Sequence, residues 1–212
     1  MLTLTNIQLN LAHPEVQRDL ADCHNMHRRT MRLFQHVNNT RDTNEILYVI
    51  DRIGAQWQLE IQALAYADVT SLPAGYALPP VRQRDDCDEQ LAQLQPAGVY
   101  RFRLTANVTK KSIHIAKRVS LTERAEQIDW LDRKAEAAGF TINPADLSIT
   151  PEPMIMGTHP NGTLRYDAVR FAGTLTVVDA ALVRQTVIGG IGAAKSYGCG
   201  LLRIGAAVHL PM

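Results

Sequence analysis

The chain has 212 residues, of which 46% are hydrophobic and 20% charged, and its formal net charge is +1. This length allows one large domain or two small ones with a buried core, and the composition is ordinary for a soluble globular protein. A total charge near zero does not identify a partner, because a basic face can be offset by acidic residues elsewhere.

Cysteine usage and hydropathy bear on the cellular compartment. The three cysteines, Cys23, Cys87 and Cys199, are odd in number and far apart, which favours free thiols in a reducing compartment over a disulfide framework. The first residues alternate in polarity as in a strand and lack the pattern of a signal peptide. No segment approaches the ~20 apolar residues of a membrane span. We therefore expect a cytoplasmic protein without a membrane segment.

The first elements are a strand and a helical region. Leu2–Leu11 alternates apolar and polar residues, with one slip, and predicts a half-buried strand. A helical region follows over about Pro14–Val37. Asp22 is a suitable N-cap within it, so the helix is predicted to restart there after a short turn.

Two strands and a change of composition complete the first half. Glu45–Asp51 and Trp57–Tyr66 are predicted to be strands joined around Gly54. Pro73–Pro96 is rich in proline, acidic residues and glutamine. We interpret it as the end of a first domain followed by a linker, with a short helix at Asp88–Leu94.

The second half begins with a strand and a helix. Val99–Val108 alternates strongly and predicts a strand. Ser120 and Glu123 have the spacing of a capping box, in which each side chain bonds the other's backbone at a helix start. The helix is predicted to run to about Ala138 and to end at Gly139.

The remaining elements complete a recognisable order. Ser148–Met156 and Leu164–Val178 are predicted to be extended and joined by a turn at Asn161-Gly162. A short helix, Ala180–Ile188, precedes a glycine-rich loop and a last strand at Leu201–His209.

This second half has the order βαββαβ, which is the ferredoxin-like unit, and the first half repeats its opening βαββ less clearly. We predict an α+β protein of two tandem ferredoxin-like domains. The first would comprise residues 1–95 with the helix described above, and the second residues 96–212 with the glycine-rich loop.

The glycine-rich loop, residues 189–200, reads GGIGAAKSYGCG. Its glycines let backbone N–H groups approach an anion closely, and its lysine adds a charge for phosphate. A nucleotide P-loop is excluded, because Ala194 stands where that motif needs glycine and the loop lies between a helix and a strand in the wrong order. Two interpretations stay open, a cradle for a phosphate backbone and a tight connection. The candidate residues for phosphate contact are Gly190, Gly192, Lys195, Ser196, Gly198 and Gly200.

A cluster of histidine and arginine residues lies in the first helical region. His24 and His27 are three residues apart and therefore share a helix face, with Arg28 close by and Arg32 one turn further. A helix N-terminus with these side chains favours a phosphate. A zinc site that uses Cys23 with the two histidines is a poor alternative, because a fourth ligand is lacking and Cys23 and His24 point in different directions.

Several segments together resemble a known family. Gly190–Leu202 is similar to the C-terminal glycine-rich signature of the repeat-associated RNA-binding superfamily of CRISPR systems. The further segments resemble, in order and spacing, the CasE-type CRISPR endoribonucleases of the type I-E Cascade complex. These segments are Arg101–Leu104 with Ala106-Asn107, Lys117–Val119, Ala125–Ile128 with Trp130-Leu131, and Val169–Phe171 with Gly173 and Leu175. The resemblance covers nearly the whole chain.

The resemblance implies a substrate and a reaction. The substrate would be the stem-loop repeat of a CRISPR precursor RNA, cut at the 3′ base of the hairpin. Cleavage would need no metal and no cofactor: the ribose 2′-OH attacks and leaves a 2′,3′-cyclic phosphate. The enzyme would then stay on its guide RNA with the other Cascade subunits.

The resemblance also implies the residues that act. The catalytic histidine of the family aligns with His27, and histidine suits proton transfer because its ordinary pKa of ~6.5 lies near working pH. His24 stands where some relatives carry tyrosine, and it either serves as a second acid or base or orients the phosphate. Arg28 and Arg32 are candidates to stabilise the pentavalent phosphate.

RNA recognition is assigned to three places. A basic group that could follow one strand of the stem comprises Lys110, Lys111, Lys117 and Arg118. His159 and Arg165 flank a turn that occupies the place of a family hairpin that enters the RNA groove. In the glycine-rich loop, Tyr197 beside Lys195 and Ser196 either stacks on a base or packs internally.

Two other functions remain alternatives. A catalytically silent CRISPR RNA-binding subunit accounts for the loop and the basic residues, but gives no reason for His24, His27 and Arg28 to share a face. A pair of ferredoxin-like domains that bind a small molecule accounts for neither the loop nor the resemblance.

Overall fold

The computed structural model describes residues 1–35, 37, 45–111, 118–160 and 162–208. The chain forms two units, and neither is continuous in sequence. The first comprises Met1–Ala92 together with Ile155–Arg165 and Ser196–Gly198. The second comprises the segments between and after these, Gln93–Met154, Tyr166–Lys195 and Cys199–Met212. The sequence-based division at residue 95 stays a prediction of domain organisation.

The first unit is a four-stranded antiparallel sheet with helices. Its elements are β1 (Thr3–Leu9), α1 (Pro14–Ala21), α2 (Cys23–Arg32), β2 (Leu47–Ile53), β3 (Gln56–Ala63), a 3₁₀ turn (Val69–Ser71), β4 (Ala77–Arg84) and α3 (Cys87–Ala92). The strand order is β2-β3-β1-β4. Burial alternates along β1, as its sequence predicts, and Ile7 and Leu9 pack with Met26 of α2 in one core cluster.

The predicted interruption of the first helical region is confirmed. The chain leaves the helix at Asp22, whose extended backbone separates α1 from α2. The predicted end at Val37 is wrong, since α2 stops at Arg32. Leu33 and Phe34 continue only as tight turns, with backbone bonds that span three residues.

The predicted linker is wrong in its first part. Ala77–Arg84 is a strand that pairs with β1 at the edge of the sheet. Pro79 and Pro80 lie where this pairing shifts register, between Leu78 opposite Gln8 and Arg82 opposite Asn6, and edge strands and bulges are the places where a sheet tolerates proline. The short helix that follows is present at Cys87–Ala92.

The second unit contains a further antiparallel sheet. After residue 92 the elements in chain order are β5 (Val99–Asn107), β6 (Thr109–Lys111), β7 (Arg118–Ser120), α4 (Arg124–Ala137), β8 (Phe140–Ile142), β9 (Ser148–Pro151), β10 (Ile155–His159), β11 (Gly162–Tyr166), β12 (Ala168–Val177), α5 (Ala180–Gly189), a 3₁₀ turn (Lys195–Tyr197) and β13 (Leu202–Ala207). Of these, β10, all of β11 but its last residue, and Ser196 and Tyr197 of the 3₁₀ turn belong to the first unit. The sheet order is β13-β5-β12-β8, with β9 also on β12. Trp130 of α4 stacks on Phe171 of β12, with ring centroids 6.2 Å apart.

The predicted capping box is wrong. Ser120 belongs to β7, and its hydroxyl donates to Asp167 Oδ2 at 2.6 Å. Backbone pairing of Leu121 with Val108 keeps this stretch extended. The helix begins at Arg124, and Glu123 precedes it without a side-chain capping bond.

The predicted fold is confirmed. In each sheet the first and third strands of a βαββαβ pattern are central and antiparallel, and the fourth and second lie outside them. In the first unit the 3₁₀ turn stands where the second helix of that pattern would be. No helix in the described ranges is both long and apolar enough to cross a membrane.

Candidate active site

The candidate site begins at the N-terminus of α2. Asp22 caps this helix: its Oδ1 accepts hydrogen bonds from the backbone N–H groups of His24, at 2.8 Å, and Asn25, at 3.3 Å. The cap fixes the first turn, and so it places His24 and His27 close to the positive end of the helix dipole. An anion bound beside these histidines would be favoured by that dipole.

Four aromatic rings follow one another across this site. The imidazoles of His24 and His27 have centroids 6.4 Å apart. On one side, His159 of β10 meets His24 edge to face at 5.2 Å. On the other side, Tyr197 meets His27 at 5.8 Å with the rings inclined by 67°. All four side chains are half-buried, so each keeps some access to solvent and to a ligand.

The hairpin β10–β11 is attached to the start of α2 through Asp22. The second carboxylate oxygen, Oδ2, accepts from the backbone N–H of Thr158 at 3.0 Å. Although burial by itself raises the pKa of Asp22, the N–H groups of Thr158, His24 and Asn25 bring its pKa below the ordinary value. One carboxylate therefore both caps the helix and holds the strand that carries His159.

A glycine makes this close approach possible. A Cβ at Gly157 would lie 2.7 Å from Asp22 Oδ1, 2.7 Å from Cys23 Sγ and 3.1 Å from the backbone nitrogen of His24. A side chain at this position would push the hairpin away from α2. We name this contact of Gly157 and Thr158 with Asp22 the hairpin clamp.

Tyr197 is held in place by Tyr48 of β2. The Tyr48 hydroxyl donates to the backbone carbonyl of Ser196 at 3.0 Å. Gly198, with a φ of +84°, leaves room for the Tyr48 ring, which a Cβ would meet at 3.4 Å. The segment Ser196–Gly198 is thus anchored on both sides of the tyrosine that faces His27.

The arginines of α2 divide into two kinds. Arg28 and Arg32 are exposed, and neither forms an ion pair with a carboxylate in the described part of the chain. Arg29 is buried, and its guanidinium pairs with Asp19 at 2.8 Å and with Glu15. Arg29 joins α2 to α1 and serves the structure, whereas Arg28 and Arg32 are available to a ligand.

Cys23 does not add a reactive thiol to the site. Burial, and secondarily the charge of Asp22, raises the pKa of its thiol to about 11, so the sulfur stays protonated at neutral pH. Across the described ranges, no three histidine, cysteine or acidic side chains lie together as a group that could hold a metal ion.

The glycine-rich loop has internal roles for its predicted phosphate contacts. Gly190, Gly192, Gly198 and Gly200 all have positive φ. A Cβ would approach Trp130 to 3.1 Å at Gly192, and at Gly200 it would overlap the carbonyl of Ile191 at 2.7 Å. The ammonium of Lys195 donates to the carbonyl of Gly189 at the end of α5. Close packing accounts for Gly192 and Gly200, and a positive φ favours glycine at all four positions. The loop's distinct contribution to the candidate site is Tyr197.

The other predicted RNA contacts lie apart in the chain. Lys110, Lys111 and Arg118 are exposed on the β6–β7 hairpin of the second unit, where Lys110 pairs with Glu126 at 2.6 Å. An exposed ion pair of this kind is weak, so Lys110 can still contact a ligand. Arg165 is exposed on β11. Lys117 and Asn161 lie outside the described residues.

Sequence reasoning missed how four residues serve the site. His159 was assigned to RNA contact, and the structure places it against His24. Tyr197 was left open between base stacking and packing, and it faces His27. Nothing in the local sequence around Tyr48 or Gly157 indicates a role, because both act through contacts with distant segments.

Comparison with known proteins gives a consistent result. Residues 2–205 match the family model described as CRISPR associated protein. The chain is 30% identical over 224 residues to the CRISPR-associated endoribonuclease Cse3 of Thermus thermophilus, with 95% of this chain and 98% of that protein covered. It is 37% identical over 123 residues to the CRISPR system Cascade subunit CasE of Escherichia coli, covering 53% of this chain and 60% of that protein. A solved structure of CRISPR endoribonuclease Cse3 bound to a 19-nucleotide RNA superposes with a TM-score of 0.82 at 29% identity, covering 97% and 99% of the two chains.

Proposed function

The chain belongs to the CRISPR-associated protein family, among its CasE-type endoribonucleases, and from that premise we propose that it binds the stem-loop repeat of a CRISPR precursor RNA and cuts it at the 3′ base of the hairpin. The mature guide RNA then stays bound, and the protein acts as a subunit of a Cascade complex in the cytoplasm. The match to a Cascade subunit over half the chain supports this assembly.

The reaction we propose needs no metal. The ribose 2′-OH attacks the adjacent phosphorus while a base takes its proton. The bond from phosphorus to the 5′-oxygen breaks, and an acid supplies that oxygen with a proton. The products are a 2′,3′-cyclic phosphate and a 5′-hydroxyl. Two proton-transfer groups and a site for extra negative charge are therefore required.

The pair of histidines on one face of α2 is the observation that carries this proposal. His24 and His27 are near enough to serve the two ends of one phosphodiester, since their ring centroids are 6.4 Å apart. We place His27 at the centre of the chemistry and His24 as the second acid or base. Arg28 and Arg32, exposed on the same helix, offer charge to the pentavalent phosphate, and the capped helix N-terminus adds its dipole.

RNA recognition is proposed for residues of both units. Lys110, Lys111, Lys117 and Arg118 would follow one strand of the stem. The hairpin with His159 and Arg165 would enter its groove. The glycine-rich loop would meet the RNA backbone through Gly190, Gly192, Lys195, Ser196, Gly198 and Gly200. The N–H groups of Gly190 and Gly200 already donate to Thr186 and Thr105, so these two glycines would allow close approach of the RNA without donating to it.

The decisive experiment compares the wild type with His27→Ala on the cognate repeat RNA in EDTA. We expect the wild type to cut and to leave a cyclic phosphate at the 3′ end of the upstream product, which resists a phosphatase until acid opens the ring. The variant is expected to bind with similar affinity and to cut at least 100-fold more slowly, since one positioned acid or base contributes roughly 10²–10⁴-fold. Arg133→Ala, at an exposed arginine of α4, is the matched control and is expected to cut normally.

Two results would change the assignment. Equal cutting by the wild type and His27→Ala would remove His27 from the chemistry. A folded wild type that binds its repeat but leaves it intact would favour the catalytically silent RNA-binding subunit.

A further inference from the structure

The two faces of the second sheet differ in character. Phe102 and Leu104 of β5 are buried on the face that also carries Phe171, which stacks on Trp130 of α4. Arg101 and Arg103 alternate with them and are exposed. Because successive side chains of a strand point to opposite faces, both arginines stand on the face away from α4.

The strand register brings a third arginine to this face. Arg103 of β5 lies directly opposite Arg203 of β13 and, on its other side, opposite Ala172 of β12. Like charges directly opposite each other on neighbouring strands are destabilising. Small side chains at Ala172 and Thr174 leave space between the arginines and the rest of the sheet, and a cleft of about 690 Å³ lies there.

The cleft is positively charged. Among the residues described, its lining holds these three arginines and one carboxylate, Asp146, which accepts a hydrogen bond from Thr174 at 2.7 Å. Neither Arg101 nor Arg103 pairs with a carboxylate anywhere in the described ranges. No ion pair within the described ranges therefore offsets the charge of Arg101 and Arg103, and a bound anion would do so.

The arrangement suits a chain of phosphates better than a single anion. The three arginines are spaced for neighbouring phosphates, because Arg101 and Arg103 are roughly 6.8 Å apart along β5 and Arg203 lies opposite Arg103 on a strand roughly 4.8 Å away. Guanidinium groups match phosphate oxygens with two parallel hydrogen bonds. A positive groove that follows a backbone is the way proteins hold single strands without reading their sequence.

We propose that this cleft, lined by Arg101, Arg103 and Arg203 on the open face of the second sheet, binds the phosphodiester backbone of single-stranded RNA that flanks the repeat hairpin. This inference rests on the proposed function, since it takes the same RNA as its ligand. It assigns the flank, and not the hairpin, to the second sheet.

The test uses the double variant Arg101→Gln/Arg103→Gln, since both side chains are exposed and their loss leaves the core intact. Arg133→Gln is the matched control. The RNA probes are the repeat hairpin alone and the same hairpin with eight nucleotides of single strand on each side, both with a 2′-deoxy nucleotide at the cut site so that binding is measured without cleavage.

We expect the double variant to bind the flanked RNA roughly tenfold more weakly than the wild type and the hairpin alone within about twofold. Because each neutralised phosphate of a single strand contributes about 0.7 to the salt slope, the slope for the flanked RNA is expected to fall by about 1.4. Unchanged binding of the flanked RNA, or an equal loss for both RNAs, would overturn the proposal. The first of these would point to an acidic protein surface as the occupant, and the second to the hairpin itself.

The proposal and the proposed function can fail separately. A wild type that holds the flanked RNA through these arginines but does not cut the unmodified repeat would contradict the function and keep the cleft. If the wild type cuts the repeat and the double variant binds both RNAs normally, the proposed function stands and the proposal for the cleft fails.

Discussion

Gly157→Ala tests whether the hairpin clamp places His159 beside His24. The new Cβ would lie 2.7 Å from Asp22 Oδ1 and from Cys23 Sγ. Neither atom can yield easily, because Oδ1 already accepts two backbone hydrogen bonds and Cys23 is buried. The hairpin must therefore move away from α2.

The size of the effect follows from what that movement loses. Overpacking of a close contact costs about 1–3 kcal/mol. Relief by displacement gives up the hydrogen bond from Thr158 to the charged Asp22, and a bond of this kind contributes about 1.5–3 kcal/mol. The variant suffers either the overpacking or the loss of the hydrogen bond, and not both, so we expect the free energy of unfolding to fall by about 2 kcal/mol. For a chain of this size that lowers Tm by about 4–8 °C.

The effect on cleavage should exceed the effect on RNA affinity. A displacement of about 1 Å in a catalytic arrangement can cost up to 100-fold in rate. We expect single-turnover cleavage to slow by about 10- to 100-fold at saturating protein, measured well below the Tm of the variant. Thermal unfolding followed by circular dichroism gives the stability.

Gly189→Ala is the control, since a Cβ there would meet no atom within 4 Å. It should keep the wild-type Tm and rate. Wild-type stability and cleavage in Gly157→Ala would refute the clamp. A normal rate with a lowered Tm would show that the clamp is structural only.

Three further changes test other contacts of the first unit. Arg29→Met leaves the buried carboxylate of Asp19 without its 2.8 Å partner, and we expect a loss of about 3 kcal/mol in urea unfolding, much of it recovered when Asp19→Asn is added. Tyr48→Phe removes the hydroxyl that holds the backbone carbonyl of Ser196. We expect the free energy of unfolding to fall by about 1 kcal/mol and cleavage to slow with little change in KM. An unchanged cleavage rate would show that the position of Tyr197 does not affect the reaction. Asp22→Asn tests a pH dependence. The pKa of Asp22 is lowered from its ordinary value of 3.8, so its charge contributes stability that is present above that value and is lost as the pH falls through the lower pKa of the folded state. The wild type should therefore exceed Asp22→Asn in Tm at pH 7 and converge with it in strong acid, and a constant difference would contradict this account.

Local signals in the sequence were sufficient for most elements. Alternation predicted β1, and the N-cap at Asp22 predicted the break between α1 and α2. The same kind of signal failed at Ser120, where strand pairing prevailed over a capping box. It failed also over Ala77–Arg84, because a proline-rich stretch resembles a linker until a neighbouring strand is there to pair with it.

The candidate site, too, could be predicted from local signals only in part. His24, His27, Arg28 and Arg32 could be predicted as a group, since helix periodicity places residues three and four apart on one face. The sequence did not separate Arg28 and Arg32 from Arg29, whose burial depends on its contacts with α1.

By itself, then, the sequence determined the family, the strand and helix order, and the histidine and arginine face of α2, because each is recorded in short-range spacing. Only the tertiary structure decided what surrounds that face. Asp22 bonds to Thr158 across 136 residues, and Tyr48 bonds to Ser196 across 148. Such contacts depend on a shape that a Cβ at Gly157 would disturb, and steric fit between distant segments leaves no periodic signal in the chain.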